Sequence, residues 1–456
     1  MISNKKLIAA YIVALVLLLL LLVGFLRLDS PSEILSPPSL YGQGAEIQAA
    51  FETAVGNQGI RLHYPSQGEY RSAFVLSDLD NDKVDEAIVF YSSQDDEATV
   101  RINILDCVDD DWVSVYDDAG YGVDILKVDF ADLNRDGKCE VVCCWQLYES
   151  TSSNVLTVHS VEFKDDKVSK LVPLANQAYT FTDIVDLDGD SADEIFIAWI
   201  DITDPTVSHV YANMLKFDEN GKLSNVGKNI ALDSSVTNYG SLKIQNMDGN
   251  IVAFLDAYKG DDSMITEVIR WDKDKNQLVS IFNDSLTHVN SATMRSPAIP
   301  SYDYDGDGVI EIPISVSLSG SAPEISEDSN ENLLNVSAWC SVKDGKLQTE
   351  SFALINETYK FAVKIPSSLK NHLLAYESLD GDSTTVYYTE NGSARGKVLF
   401  VINGKYREDS DAKLDSAFSA MSKEIYVYGN ITDAGIKAGL SNEFIEKGIV
   451  FLDDIK

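Results

Sequence analysis

One acidic pattern recurs along the chain and limits what can lie between its copies. Residues 72–91 read SAFVLSDLDNDKVDEAIVFY and residues 125–145 read ILKVDFADLNRDGKCEVVCCW. Residues 180–199 read TFTDIVDLDGDSADEIFIAW and residues 296–316 read SPAIPSYDYDGDGVIEIPISV. A worn copy, GSLKIQNMDGNIVAFLDAY, begins at Gly240. Each copy reads as a strand, a tight acidic loop and a second strand. The loops start at Asp78, Asp132, Asp186, Asn246 and Asp303, so they recur every 54, 54, 60 and 57 residues. A period of this size predicts a propeller or a solenoid. Two further strand-like runs follow each loop: 100–105 and 112–116, 155–163 and 168–174, 207–217 and 221–230, 265–271 and 277–282, 333–342 and 346–354. Four strands per unit and about five units predict a mainly β chain folded as a β-propeller over 59–355. A plain antiparallel sandwich is the alternative, but it does not require the same loop at near-constant spacing. GIRLHY at 59–64 is a candidate extra strand for ring closure.

The loops carry the chemistry. Numbered from the first acid, positions 1, 3, 5 and 9 are Asp78, Asp80, Asp82 and Glu86 in the first loop, and Asp132, Asn134, Asp136 and Glu140 in the second. They are Asp186, Asp188, Asp190 and Glu194 in the third, and Asp303, Asp305, Asp307 and Glu311 in the last. Four hard oxygen ligands in a tight turn suit Ca²⁺, which takes six to eight oxygens. The backbone carbonyls of position 7 (Val84, Lys138, Ala192 and Val309) would add one more ligand each. Position 12 of an EF-hand is a bidentate Glu, whereas here it is Val89, Cys143, Ile197 and Ile314. The copy at Asn246, with Asp248 and Asn250, lacks the late acid and predicts no metal. Solvated acidic turns are the competing reading, since Asp, Asn and Gly favour turns anyway. Four loops that each repeat the late Glu argue for about four structural calcium sites.

DLDNDKVDE, DLNRDGKCE, DLDGDSADE and DYDGDGVIE resemble the calcium loops of the FG-GAP/VCBS repeat proteins, β-propellers related to the integrin α-chain head. The resemblance covers about residues 71–355. It implies calcium at positions 1, 3, 5 and 9 of all four loops. The phenylalanine-glycine and glycine-alanine-proline signatures are absent, which marks a diverged, VCBS-like member. Position 6 is glycine only at Gly137 and Gly308; Lys83 and Ser191 replace it elsewhere, which predicts strain there.

Outside the repeats, residues 7–26 (LIAAYIVALVLLLLLLVGFL) are 20 residues without a charge. At 1.5 Å per residue they match the hydrocarbon thickness of a bilayer, about 30 Å. Lys5 and Lys6 precede the run, which predicts a cytoplasmic stub (1–6), a single-pass helix (7–26) and an ectodomain outside the cytoplasm. A cleaved signal peptide is the alternative, against the length of the run and the lack of an A-x-A site. Residues 27–44 read as a linker, and 45–56 as a short helix with Ile47, Ala50, Phe51 and Ala54 on one face, lying as a lid on the domain that follows. Residues 357–456 mix strands with helical runs at 366–374, 410–421 and 440–449, and predict a small α+β domain.

The formal net charge of −36 excludes a nucleic-acid binder, which needs a cationic face for phosphates. Five cysteines, with no CxxC, read as buried reduced thiols rather than a disulfide framework, one disulfide remaining open. This usage points to an anaerobic habitat or to protective burial. No GxSxG, HExxH or GxxxxGK[ST] is present, and the five histidines do not cluster in sequence, although His159 and His209 fall on corresponding strands. No catalytic residue is assigned. The expected function is a membrane-anchored, extracytoplasmic calcium-binding module that recognises a protein or glycan. The alternatives are a cell-wall or polysaccharide-processing enzyme using the propeller channel, and a scaffold subunit of an envelope complex.

Overall fold

The computed structural model describes residues 43–454, apart from 57–58, 95, 109–110, 149–153, 166, 202–208, 248, 317–330, 391, 393 and 408–415. The apolar run at 7–26 lies outside the described residues. Among the described residues no helix is long and apolar enough to cross a membrane. The fold is mainly β, with 56% of residues in strands and 8% helical. The described strands form six antiparallel sheets. Among the described residues the chain divides into two compact units. One runs to Val128 and includes Val161–Leu171; the other holds Asp129–Ser160 and the chain from Val172 onward.

The first unit opens with helix α1 (Gln43–Val55), which buries Ile47 and Phe51. Phe51 meets the rings of Phe74 and Tyr91 edge-on at 6.0 and 5.2 Å, so the helix covers the first sheet as its apolar stripe predicts. Gly56, with φ +82°, ends it. The sheet holds β1 (Ile60–His63), β2 (Phe74–Ser77), β3 (Glu86–Ser93), β4 (Asp96–Val108) and β5 (Asp111–Ala119). β1 and β2 lie end to end along the same edge of β3, pairing with residues 90–93 and 86–89 respectively. The candidate closing strand at 59–64 therefore belongs to the first sheet itself.

The second sheet has the order β6 (Asp124–Ala131), β7 (Glu140–Gln146), β8 (Asn154–Lys164), β9 (Lys167–Tyr179). The third runs β10 (Phe181–Val185), β11 (Glu194–Asp201), β12 (His209–Phe217), β13 (Leu223–Asn225), with β14 (Ile230–Ala231) also on β12. The fourth runs β15 (Asn238–Met247), β16 (Asn250–Tyr258), β17 (Met264–Asp272), β18 (Gln277–Ser280). Its worn loop is a tight hairpin in which Met247 pairs directly with Asn250. The copy therefore has no nine-residue loop at all, and Asp248 lies outside the described residues.

The remaining strands are β19 (Ile312–Val316), β20 (Glu331–Leu334), β21 (Val336–Lys343), β22 (Lys346–Asn356), β23 (Phe361–Ile365), β24 (Leu373–Ser378), β25 (Ser383–Tyr388), β26 (Val398–Tyr406), β27 (Phe418–Met421), β28 (Ile425–Ile431) and β29 (Ile449–Phe451). The fifth sheet has the order β19-β21-β22-β23-β29 and the sixth the order β20-β24-β25-β26-β28-β27. Sheets are thus not divided at residue 356: β20 joins the later sheet, and β23 and β29 extend the earlier one. Buried Val336, Phe352, Phe361, Val386, Phe400 and Ile445 share one core across that position.

Several expected elements differ, and the strand expected at 221–230 is split into the short β13 and β14, both paired with β12. The first strand of the last unit, near 296–302, is replaced by isolated bridges, Met264 to Arg295 and Tyr302 to Glu311. Pro297 and Pro300 have no N–H to give a ladder. The helix expected at 410–421 is β27 where it is described, with Phe418 opposite Gly429. The helical run at 366–374 contracts to a single 3₁₀ turn, Ser367–Leu369. The terminal helix holds as α3 (Asn442–Lys447), after α2 (Asp433–Lys437), and the Ser441 hydroxyl caps it by accepting from Phe444 N–H. No disulfide joins any of the five cysteines among the described residues.

Candidate metal loops

The four acidic loops fold alike, and backbone geometry explains why. Positions 4 and 6 sit in the left-handed region. Asn81, Arg135, Gly189 and Gly306 have φ of 64°, 61°, 75° and 77°, and Lys83, Gly137, Ser191 and Gly308 have 77°, 89°, 70° and 87°. Gly takes this conformation freely and Asn readily, whereas Lys83 and Ser191 hold it at a cost. The double reversal turns backbone N–H groups inward onto the acids. The Asp78 carboxylate accepts from Asp82 and Lys83 N–H at 3.1 and 3.0 Å, and Asp132 from Asp136 and Gly137 at 3.0 and 2.9 Å. Asp186 accepts from Gly189 and Ser191 at 2.7 and 3.0 Å; Asp303 accepts from Gly306 and Gly308 at 2.7 and 2.8 Å. The position 7 N–H groups of Val84, Lys138, Ala192 and Val309 donate to Asp82, Asp136, Asp190 and Asp307 at 2.7–2.9 Å.

The closing glutamate reaches back across the loop. Glu86, Glu140, Glu194 and Glu311 each accept the N–H of position 2 (Leu79, Leu133, Leu187 and Tyr304) at 2.8–3.0 Å. Those position 2 side chains are buried, which pins the loop to the core beneath it. The glutamates are buried as well. Burial, joined by neighbouring acids, pushes Glu86 up to about 8 and Glu140 and Glu311 up to about 7. Glu194 is also raised by burial, against the pull of Lys216.

Carboxylate oxygens of Asp303, Asp305, Asp307 and Glu311 lie within 4.8 Å of one another, as do those of Asp78, Asp80 and Glu86, and those of Asp186, Asp188 and Glu194. These clusters could hold a metal ion. Asp82 and Asp190 fall outside their loops' groups. In the second loop, the Asn134 amide donates to Glu140 at 2.7 Å while its carbonyl accepts from Asp136 N–H at 2.8 Å.

The neighbouring strand sets opposite each closing glutamate a residue that sequence spacing did not single out. Ile195 pairs with Leu215, so the next step of the register sets Lys216 against Glu194. By the same step Asp106 faces Glu86, Ser160 faces Glu140 and Ser341 faces Glu311. The Lys216 ammonium donates to Asp188 at 2.5 Å, Asp190 at 2.7 Å and Glu194 at 2.8 Å. Burial works to lower the Lys216 pKa, but the three carboxylates outweigh it and hold it above the ordinary lysine value. Asp106 does the reverse in the first loop: its charge adds to those of Asp80 and Asp82 in raising Glu86. Arg135 of the second loop also reaches Asp190, at 3.1 Å, and Lys364 reaches Asp305 at 3.1 Å.

The histidines divide differently from expectation. His159 is buried, and burial lowers it to about 4. His209 is exposed and stacks on Tyr211 at 6.1 Å. His63, passed over in the sequence, bridges Asp124 at 2.8 Å and Ser92 Oγ at 3.0 Å. That is the order of a charge relay, but Ser92 is fully buried, so the trio ties β1, β3 and the start of β6 together.

The chain matches no protein-family model and no curated protein. Among solved structures it is similar to Sqt1 of Chaetomium thermophilum, with a TM-score of 0.32 and 10% identity over 84% of this chain and 99% of that one. It is also similar to the rhamnogalacturonan lyase PL11 of Bacillus licheniformis, with a TM-score of 0.29 and 10% identity over 75% and 77%. For the rhamnogalacturonan lyase YesW the TM-score is 0.28 and the identity 11%, over 81% and 74%. TM-scores this low define no common fold.

Proposed function

We propose that the chain is a diverged FG-GAP/VCBS-like β-propeller, held at the membrane by its N-terminal apolar run and displayed outside the cytoplasm. There it acts as a calcium-stabilised module that recognises a protein or glycan. The observation that carries this reading is the shared loop: a first acid seated on inward N–H groups, and a buried glutamate that closes over position 2. Buried, clustered carboxylates with raised pKa values need a cation to ionise at neutral pH. Oxygen-only donors of this number suit calcium better than zinc or copper. Calcium would sit in the loops that start at Asp78, Asp132 and Asp303, with the position 7 carbonyls as added ligands. The third loop, which already contains an ammonium, is a separate case. The antiparallel sheets built around the loops support blades, and the acidic total charge supports a partner other than nucleic acid.

The test uses the full chain in detergent, equilibrated with millimolar calcium, freed of unbound ions and analysed for metal. It is then probed on a glycan array and against envelope protein extracts, with and without chelator. Bound calcium, and capture that chelator abolishes, are the expected results. Protein that retains no calcium overturns the metal assignment. Capture that is indifferent to chelator overturns the link between calcium and recognition.

A further inference from the structure

The loops share their own residues but differ in what the adjoining strand places over them. On β12, Lys216 stands opposite Glu194 and sends one N–H to each of three carboxylates: Asp188, Asp190 and Glu194. A lysine ammonium has three donors and no acceptor, so all three are used. The fourth acid, Asp186, has both oxygens on backbone N–H groups. Every ligand carboxylate of the third loop therefore has a partner within the chain. A calcium ion would have to lie about 2.3–2.6 Å from the same oxygens, the space that Nζ takes. Two cations cannot share that shell without strong repulsion. The ammonium is also tethered by the chain, so it does not depend on ion concentration as a dissolved ion does.

At the corresponding place on β4, Asp106 faces Glu86 and brings a further carboxylate near Asp80, Asp82 and Glu86. Ser160 and Ser341 stand there in the other two loops. One register position thus carries an acid, a hydroxyl, an ammonium and a hydroxyl over four loops of the same internal geometry.

We propose that the residue facing the closing glutamate decides whether a loop takes a divalent cation: Lys216 makes the third loop self-sufficient, and Asp106 strengthens the demand of the first. This rests on the calcium reading for the other loops but is tested apart from it. Calcium binding to the full chain in detergent is measured by isothermal titration for the wild type, K216M, D106K and the double variant D186N/E194Q. The expected result is one additional calcium equivalent in K216M, one fewer in D106K, and an unchanged number in D186N/E194Q. No gain in K216M overturns the proposal for the third loop, as does loss of an equivalent in D186N/E194Q. No loss in D106K overturns it for the first. If K216M does not fold in chelator, its recovery of a cooperative melt in millimolar calcium supports the proposal, and failure in both conditions overturns it. A wild type that binds no calcium defeats the calcium reading, yet a gain of one site in K216M would still uphold the role of Lys216.

Discussion

Glu267 is a carboxylate that burial controls without a metal loop nearby. It lies fully buried on β17, with Oε1 accepting from Asp233 N–H at 2.8 Å and from the Asn283 amide at 3.3 Å. Oε2, the Asn283 carbonyl and the Tyr239 hydroxyl have no hydrogen-bond partner among the described residues. The charges that face it are Asp233 and, beyond that, Lys259, which bonds Asp233 at 2.9 Å; Asn290 also faces it. Burial pushes Glu267 up to about 7. In the unfolded chain a glutamate ionises near 4.5, so between that pH and about 7 the folded state binds the extra proton. Stability from this group is therefore present below 4.5 and lost as pH rises through 7, on the order of 3 kcal/mol in all. Melting from pH 5 to 7.5 should show this fall in the wild type and a flatter profile in E267Q, whose amide is neutral throughout. An equal slope in both would place the titration elsewhere. At this scale the acidic loops and their closing glutamates were legible, because an acid at positions 1, 3, 5 and 9 needs only local spacing, although Asp82 and Asp190 fall outside the clusters of their loops. Lys216 and Asp106 were not, because they reach the loops across a strand register that local spacing does not encode.

Among the elements, the segment that leads into the last loop departs most from its pattern. SPAIPSY has the apolar spacing of a first strand, yet its two prolines remove ladder donors, and the fold holds it by buried polar contacts instead. Arg295 is almost fully buried and donates to Asp256 at 2.9 Å, and also to Thr293 O and Ile299 O. Asp256 in turn accepts from Thr266 Oγ at 2.7 Å and Ser301 N–H at 2.9 Å. One buried ion pair therefore anchors residues 293–301 against β16 and β17. Replacing Arg295 by Met would leave the Asp256 charge buried without its guanidinium. The expected cost is about 3–5 kcal/mol, read as a lower midpoint in denaturant. A loss below about 1 kcal/mol would show that Lys243, 3.8 Å from Asp256, suffices to compensate. Most other strands were legible because they carry alternating or continuous apolar runs bounded by turn residues. The later sheets were misjudged because strand partners are chosen by tertiary packing: β20 and β23 pair across the boundary that composition suggested at residue 356, and β29 adds to β23.

For the whole molecule the dominant quantity is charge. A formal net charge of −36 opposes compaction, and part of it is concentrated in the three loops that lack an ammonium across all their acids. Two agents relieve such repulsion, and they act differently. Monovalent salt screens it without discrimination, with a Debye length that falls from about 30 Å at 0.01 M to about 3 Å at 1 M. It therefore acts on dispersed surface charge more than on carboxylates already within 4.8 Å of one another. Calcium bound as proposed would favour the folded loop over the extended chain and so would stabilise by mass action, about 2.7 kcal/mol per site at a hundredfold excess over its dissociation constant. Against a typical net stability of about 5–15 kcal/mol, two or three such sites would be decisive. The full chain should then melt markedly lower in chelator than in millimolar calcium. Molar sodium chloride should recover only part of the difference, and magnesium little, because it resists dehydration and favours an octahedron. D303A should remove part of the calcium increment while leaving the salt-dependent part intact. If sodium chloride alone restores the full calcium midpoint in protein shown to be metal-free, dispersed repulsion accounts for the effect, and the loops are acidic turns that need no ion.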